Sequence, residues 1–131
     1  MRRHEGHSRV QEQGCIVLRT LAFNVENQIK VEQAGGIKSV VGAMTRHKTH
    51  SGVQEEGCRA LRGLIVNREA AITATQAGAI EAVMWAMRRH EGHAMLQGVG
   101  CGALRDLVVS NQEKVAQAGG IEVVVGAMRR H

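Results

Sequence analysis

Six histidines of this 131-residue chain fall into three H-x-x-H pairs, His4/His7, His47/His50 and His90/His93. Imidazoles three positions apart on a helical turn can chelate Zn²⁺ or Ni²⁺, which makes these pairs the first place to look for chemistry. Two ligands do not close a tetrahedral site, and the intervening residues (Glu5-Gly6, Lys48-Thr49, Glu91-Gly92) differ in charge. The pairs therefore read as solvated junctions, and no metal is expected. His90-Glu91-Gly92-His93 is not the H-E-x-x-H signature of zinc proteases, whose histidines stand four apart.

Thiols and guanidinium groups recur by the same rule. Cys15, Cys58 and Cys101 lie 43 residues apart, and so do Arg19, Arg62 and Arg105. A thiolate can serve as a nucleophile, but identical slots speak for packing, and no Ser, His and Asp set accompanies them whose catalytic roles could be assigned. The glycines terminate or interrupt helical patterns and lack the preceding strand that a phosphate-binding loop requires. No catalytic residue and no cofactor are expected, and the chain does not read as an enzyme. Stacked helices would hold the thiols about 10 Å apart, beyond the ~7 Å Cα limit of a disulfide. They are expected to be small buried hydrophobes in a reducing compartment. Arginine forks suit carboxylates and phosphates, so a series in one register would favour an acidic peptide or other anion. Stems packed over a neighbouring helix, with pairing to residues such as Asp106, would account for the same series.

The elements that carry these residues follow from periodicity. Val10, Gly14, Val17, Leu18 and Leu21 take the i, i+4, i+7, i+8, i+11 spacing of one helical face. This predicts a long helix starting near Ser8, a good N-cap. The polar stretch Asn24 to Asn27 predicts a turn, Gln28 to Gln33 a short helix, and Gly35-Gly36 its end. Ile37, Val40, Val41 and Met44 then mark a third helix. The phrases VQEQGCIVLRTLA, VQEEGCRALRGLI and LQGVGCGALRDLV, each followed by QAGGI or QAGAI, repeat that order. The units run 1–43, 44–86 and 87–127, with 128–131 starting a fourth, in one array covering 1–131. The third unit is two residues shorter, because Leu21 to Ala34 spans 13 positions and Leu107 to Ala118 spans 11. Gly14, Gly57 and Gly100 recur in mid-helix, where Gly costs about 1 kcal/mol relative to Ala, and this predicts close helix approach. Trp85 stands where the other units have Gly42 and Gly126, and is expected to fill a void on the convex side or to be an exposed contact residue.

A period near 40–47 residues built only from helices points to a helical solenoid. The Gln33-Ala34-Gly35-Gly36-Ile37 hinge and the long-helix phrase together resemble the armadillo repeat over essentially the whole chain. The resemblance implies an all-α, right-handed α-α superhelix of three three-helix repeats. Lys38, Glu81 and Glu122 replace the family's hinge proline. The tryptophan slot holds Ile16, Arg59 and Gly102, and the asparagine slot holds Thr20, Gly63 and Asp106. The family's way of holding peptide backbones through those asparagines is accordingly not expected. What the resemblance does imply is a concave groove lined by the long helices, with Gln13, Ile16, Arg19, Thr20 and Phe23 from the first unit. The second supplies Glu56, Arg59, Arg62, Gly63 and Val66, and the third Val99, Gly102, Arg105, Asp106 and Val109.

A net charge of +5 and a pI near 9.7 make nucleic acid the alternative partner, through Arg2, Arg3, Arg46, Lys48, Arg88, Arg89, Arg129 and Arg130 at the junctions. Aromatics at 2% provide no platform for unpaired bases. A protein or peptide partner along the groove is the leading expectation. The chain lacks atypical polar end units, the usual closure of a solenoid. Either an excerpt of a longer array or self-association is expected, burying Val10 and Leu18 at one end and Ile121 and Val125 at the other. No apolar run reaches the ~18 residues of a membrane span, and an intracellular location, cytoplasmic or nuclear, is expected.

Overall fold

The computed structural model describes residues 2–109 and 111–131, and side chains from residue 7 onward. Among the described residues the chain is all-helical, with nine helices and no strand. The first three are α1 (Arg2–Leu21), α2 (Val25–Gln33) and α3 (Gly36–Arg46). Then come α4 (Ser51–Leu64), α5 (Arg68–Gln76) and α6 (Ala79–Arg89). The last are α7 (Ala94–Val108), α8 (Gln112–Gln117) and α9 (Gly120–Arg130).

Local signals explain the boundaries. Asn24 and Asn67 cap α2 and α5, their side-chain oxygens accepting from the Asn27 and Ala70 amides at 3.2 and 2.8 Å. The stretch after Asn24 is therefore helix rather than turn. Gly35, Gly78 and Gly119 sit at φ 79°, 94° and 92° ahead of α3, α6 and α9. Only glycine takes that left-handed conformation without strain, so each sharp reversal between short and medium helix depends on it. Ser8 does not start a helix. It lies inside α1, buried, and its hydroxyl meets His47 Nδ1 at 3.1 Å.

The long helices pack side by side, α1 along α4 and α4 along α7. A second row, α3, α6 and α9, lies behind them, with α3 against α4 and α6 against α7. The core between the rows includes Met44, Leu61, Ile80, Val83, Met84, Met87 and Leu96, all essentially solvent-free. The mid-helix glycines are where the rows touch. A Cβ on Gly57 would stand 2.5 Å from Met44 Cγ, and one on Gly100 2.7 Å from Met87 Cγ. Gly14 differs, with nothing within 4 Å of such a Cβ. Val10, Val17 and Leu21 on its side of α1 are exposed, because no described element covers them. Among the described residues no helix is long and apolar enough to cross a membrane.

Candidate ligand-binding face

The outer surface of the α1–α4–α7 row carries the arginine series. Arg19 reaches across to α4, its Nη1 3.4 Å from Glu56 Oε1, with its stem passing over Gly63. Arg59 is held on its own helix by Glu55 at 3.0 Å and Glu56 at 3.8 Å. Arg105 has Asp106 at 3.8 Å and is otherwise widely exposed. Arg62 lies over Gly102 on α7, where a Cβ would stand 2.5 Å from its Nε, and has no carboxylate partner among the described residues. The missing side chain at position 102 makes room for that guanidinium. Three arginines in one register thus have three environments, and Arg62 is the one whose fork is uncommitted.

One helical turn further on, Phe23, Val66 and Val109 form a parallel apolar series, 83%, 49% and 78% exposed. Beside Val66 a cavity of about 390 Å³ opens between the ends of α4 and α7, lined by Ile65, Val66, Asn67, Arg68, Ala71, Asp106 and Val109. Gln13 and Thr20 are exposed on α1, and the Thr20 hydroxyl donates to the Ile16 carbonyl at 2.8 Å. Ile16 and Asp106 are half-buried. Val99, expected on the surface of this face, is instead buried because α7 turns it into the helix contact.

The thiols lie beneath this face, one helical turn before each arginine of the series, and none is in a disulfide. Burial pushes Cys58 up to about 12, with Cys15 and Glu55 adding to the shift. Burial likewise pushes Cys15 up to about 11, helped by Glu56 and Glu12. Cys101 is half-buried and is raised by burial. Thiols held in the neutral form are poor nucleophiles and poor metal ligands. Among the described residues no three of His, Cys, Asp or Glu converge as a ligand set; His4 lies outside the described side chains.

The second histidine of each later pair has a role the spacing did not disclose. His50 Nδ1 accepts from the Val53 amide and His93 Nδ1 from the Leu96 amide, each at 3.1 Å, so the imidazoles are the N-caps of α4 and α7. An acceptor at Nδ1 requires the proton on Nε2, and His93 Nε2 lies 3.6 Å from Glu55 Oε1. His90, and His131 outside the pairs, tie one junction to the one before: His90 Nε2 meets the Lys48 carbonyl at 3.2 Å and His131 Nε2 the Glu91 carbonyl at 2.9 Å. Gln54, fully buried, donates to the Met44 and His47 carbonyls at 2.9 Å, and Gln97 does so to those of Met87 and His90 at 3.0 and 2.9 Å. The signal available in the sequence was the recurrence of H-S-G-V-Q and H-A-M-L-Q at the start of each helix.

Several basic junction residues are engaged within the protein. Arg88 donates to the Ala118 carbonyl at 2.9 Å, Arg130 pairs with Glu91 at 3.2 Å, and Lys48 Nζ sits 4.4 Å above the Trp85 ring. Trp85 is 46% exposed, so it does not fill an interior void. The side chains of Arg2 and Arg3 lie outside the description.

No family model matches this chain, and neither a curated protein nor a solved structure matches it.

Proposed function

We propose that the chain is a non-enzymatic protein-interaction scaffold of the armadillo kind, its three units wound into a right-handed α-α superhelix with the α1–α4–α7 face as the concave groove. The ligand is an extended peptide that carries a carboxylate near apolar side chains. The observation that carries this reading is Arg62, an exposed guanidinium without a carboxylate partner among the described residues, flanked by exposed Val66. A bidentate carboxylate is the strongest partner such a fork can take. Phe23, Val66 and Val109 offer apolar contacts parallel to the arginine series. Gln13, Ile16, Thr20, Glu56, Arg59, Arg105 and Asp106 complete the surface, with Arg19, Arg59 and Arg105 already held near carboxylates and so contributing less. A reducing, intracellular setting suits three unpaired thiols.

The test is titration of a fluorescent peptide of alternating Glu and Leu. Saturable binding is expected, weakened about tenfold or more by Arg62→Glu and left unchanged by Arg89→Glu at a junction. Peptide binding indifferent to Arg62→Glu would overturn the groove. Absence of peptide binding together with steeply salt-dependent binding of duplex DNA would instead favour the basic junctions.

A further inference from the structure

Successive helix sets meet through one knob and one notch. Met44 fills the notch at Gly57 and Met87 the notch at Gly100, and both methionines are 1% exposed. Beside each notch a buried glutamine, Gln54 or Gln97, caps the carbonyls at the end of the methionine's helix. The same register supplies one further knob and one further notch. Met128 on α9 is the knob, 73% exposed, and Gly14 on α1 is the open notch. Gln11 holds the glutamine position beside Gly14 and has no hydrogen-bond partner among the described residues.

The surroundings match as well as the centre. Val10, Val17 and Leu21 around Gly14 are 66%, 54% and 44% exposed, whereas Val53, Ala60 and Leu64, at the same register on α4, are buried against α3. Ile121 and Val125 beside Met128 are 61% and 36% exposed, whereas their counterparts Ile80 and Met84 are buried. A groove of about 360 Å³, lined by Cys101, Leu104, Val108, Val115, Ile121 and Val124 among others, continues this apolar face. Each open face therefore has the chemistry of a surface that the same chain buries twice internally.

We propose that the two faces dock on each other between copies: the α1 face of one molecule seats on the α7–α9 face of a second, head to tail. Met128 enters the Gly14 notch of the neighbouring copy, and Gln11 donates to the Met128 and His131 carbonyls. The contact is heterologous, so each added copy leaves one face of each kind open and growth does not stop at a dimer. Arg105 of the arginine face borders the groove beside α9, but Gly14 and Met128 lie outside that face, so loss of docking and loss of peptide binding are distinguishable.

Sedimentation or light scattering of the whole chain tests this with two variants. Gly14→Leu fills the notch on a surface with nothing within 4 Å, and Met128→Glu charges the knob. Circular dichroism and thermal melts of both at low concentration establish that each folds. The wild type is expected to gain mass continuously with concentration. Each variant alone is expected to associate about tenfold or more weakly. An equimolar mixture is expected to form a one-to-one pair and go no further, because each variant keeps the face that the other has lost. Three results would overturn the proposal: a strictly monomeric wild type at millimolar concentration, a Gly14→Leu protein that associates like the wild type, or a mixture that stays monomeric.

Discussion

At the turns ahead of α4 and α7, His50 and His93 each cap with a 3.1 Å bond, Gln54 and Gln97 reach corresponding pairs of carbonyls, and Gly57 and Gly100 each receive the corresponding methionine. On the arginine face, Arg19, Arg62 and Arg105 share a register and meet three different surroundings. Beneath the exposed turn residues, Gln54, Gln97, Met44 and Met87 are buried, so their polar groups and packing are tightly constrained and one solution recurs. The face is wet, and solvent tolerates each substitution there. Under the proposed peptide reading, differences on the face are where a partner would be selected, and sameness at the junctions is what holds the rows in register.

Overfilling a notch should break the junction side most severely. Gly100→Leu places a side chain where Met87 already lies, and is expected to cost about 3 kcal/mol or more, read as a lowered midpoint in urea. Gly14→Leu, the same change at the open notch, is expected to leave the monomer unchanged or to stabilise it by up to about 1 kcal/mol, because it meets no neighbour and removes a mid-helix glycine. A similar cost at both positions would mean that the difference between closed and open notches is not energetic.

Removing the buried amide should cost less. Gln97→Ala removes the side-chain donor from the Met87 carbonyl and leaves the His90 carbonyl with the His93 amide alone, an expected loss of about 1–3 kcal/mol by the same denaturant measurement. Gln11→Ala, which removes no bond among the described residues, is expected to be near neutral in the monomer. Equal losses would show that the glutamine contributes by filling space rather than by capping.

Much of this contrast is legible in the sequence. The helix order, the glycine hinges and the buried slots at Cys15 and Cys58 follow from 3.6-residue spacing and from the φ > 0 requirement at Gly35, Gly78 and Gly119. Ser8 misled because serine is a stronger cap by propensity than histidine, yet α1 runs straight through it. The histidine caps were hidden because spacing suggested chelation, while the decisive fact, an amide three residues on, needs the helix start to be known. The pairing of Arg19 with Glu56 links residues 37 apart across two helices. No periodicity within one unit encodes it. The freedom of Arg62 is likewise visible only once Gly102 is seen beneath it.

The imidazole caps refine the junction side by a smaller step. His93→Ala removes the acceptor for the Leu96 amide and is expected to cost about 0.5–2 kcal/mol, with His93→Asn recovering most of it because asparagine caps well. His7, at the corresponding position inside α1, caps nothing, so His7→Ala is expected to change the thermal midpoint negligibly. Failure of asparagine to rescue would assign the effect to the contact with Glu55 instead.

The smallest stability effect should come from the face, and it carries the sharpest functional consequence. A Cβ on Gly102 would stand 2.5 Å from Arg62 Nε, so Gly102→Ala must push the guanidinium aside. The obstacle is the far end of a flexible, exposed side chain, which can swing into water at little cost, and alanine in a helix interior gains up to about 1 kcal/mol over glycine. Stability is therefore expected to be unchanged or slightly raised, while binding of the acidic peptide weakens because Arg62 no longer rests in its place. The same substitution type at Gly100, two residues away, collides with the Met87 stem inside the core and should lower stability. If Gly102→Ala also destabilised the fold, the face would be under the same packing constraint as the junctions, and its variation could no longer be read as freedom to choose a partner.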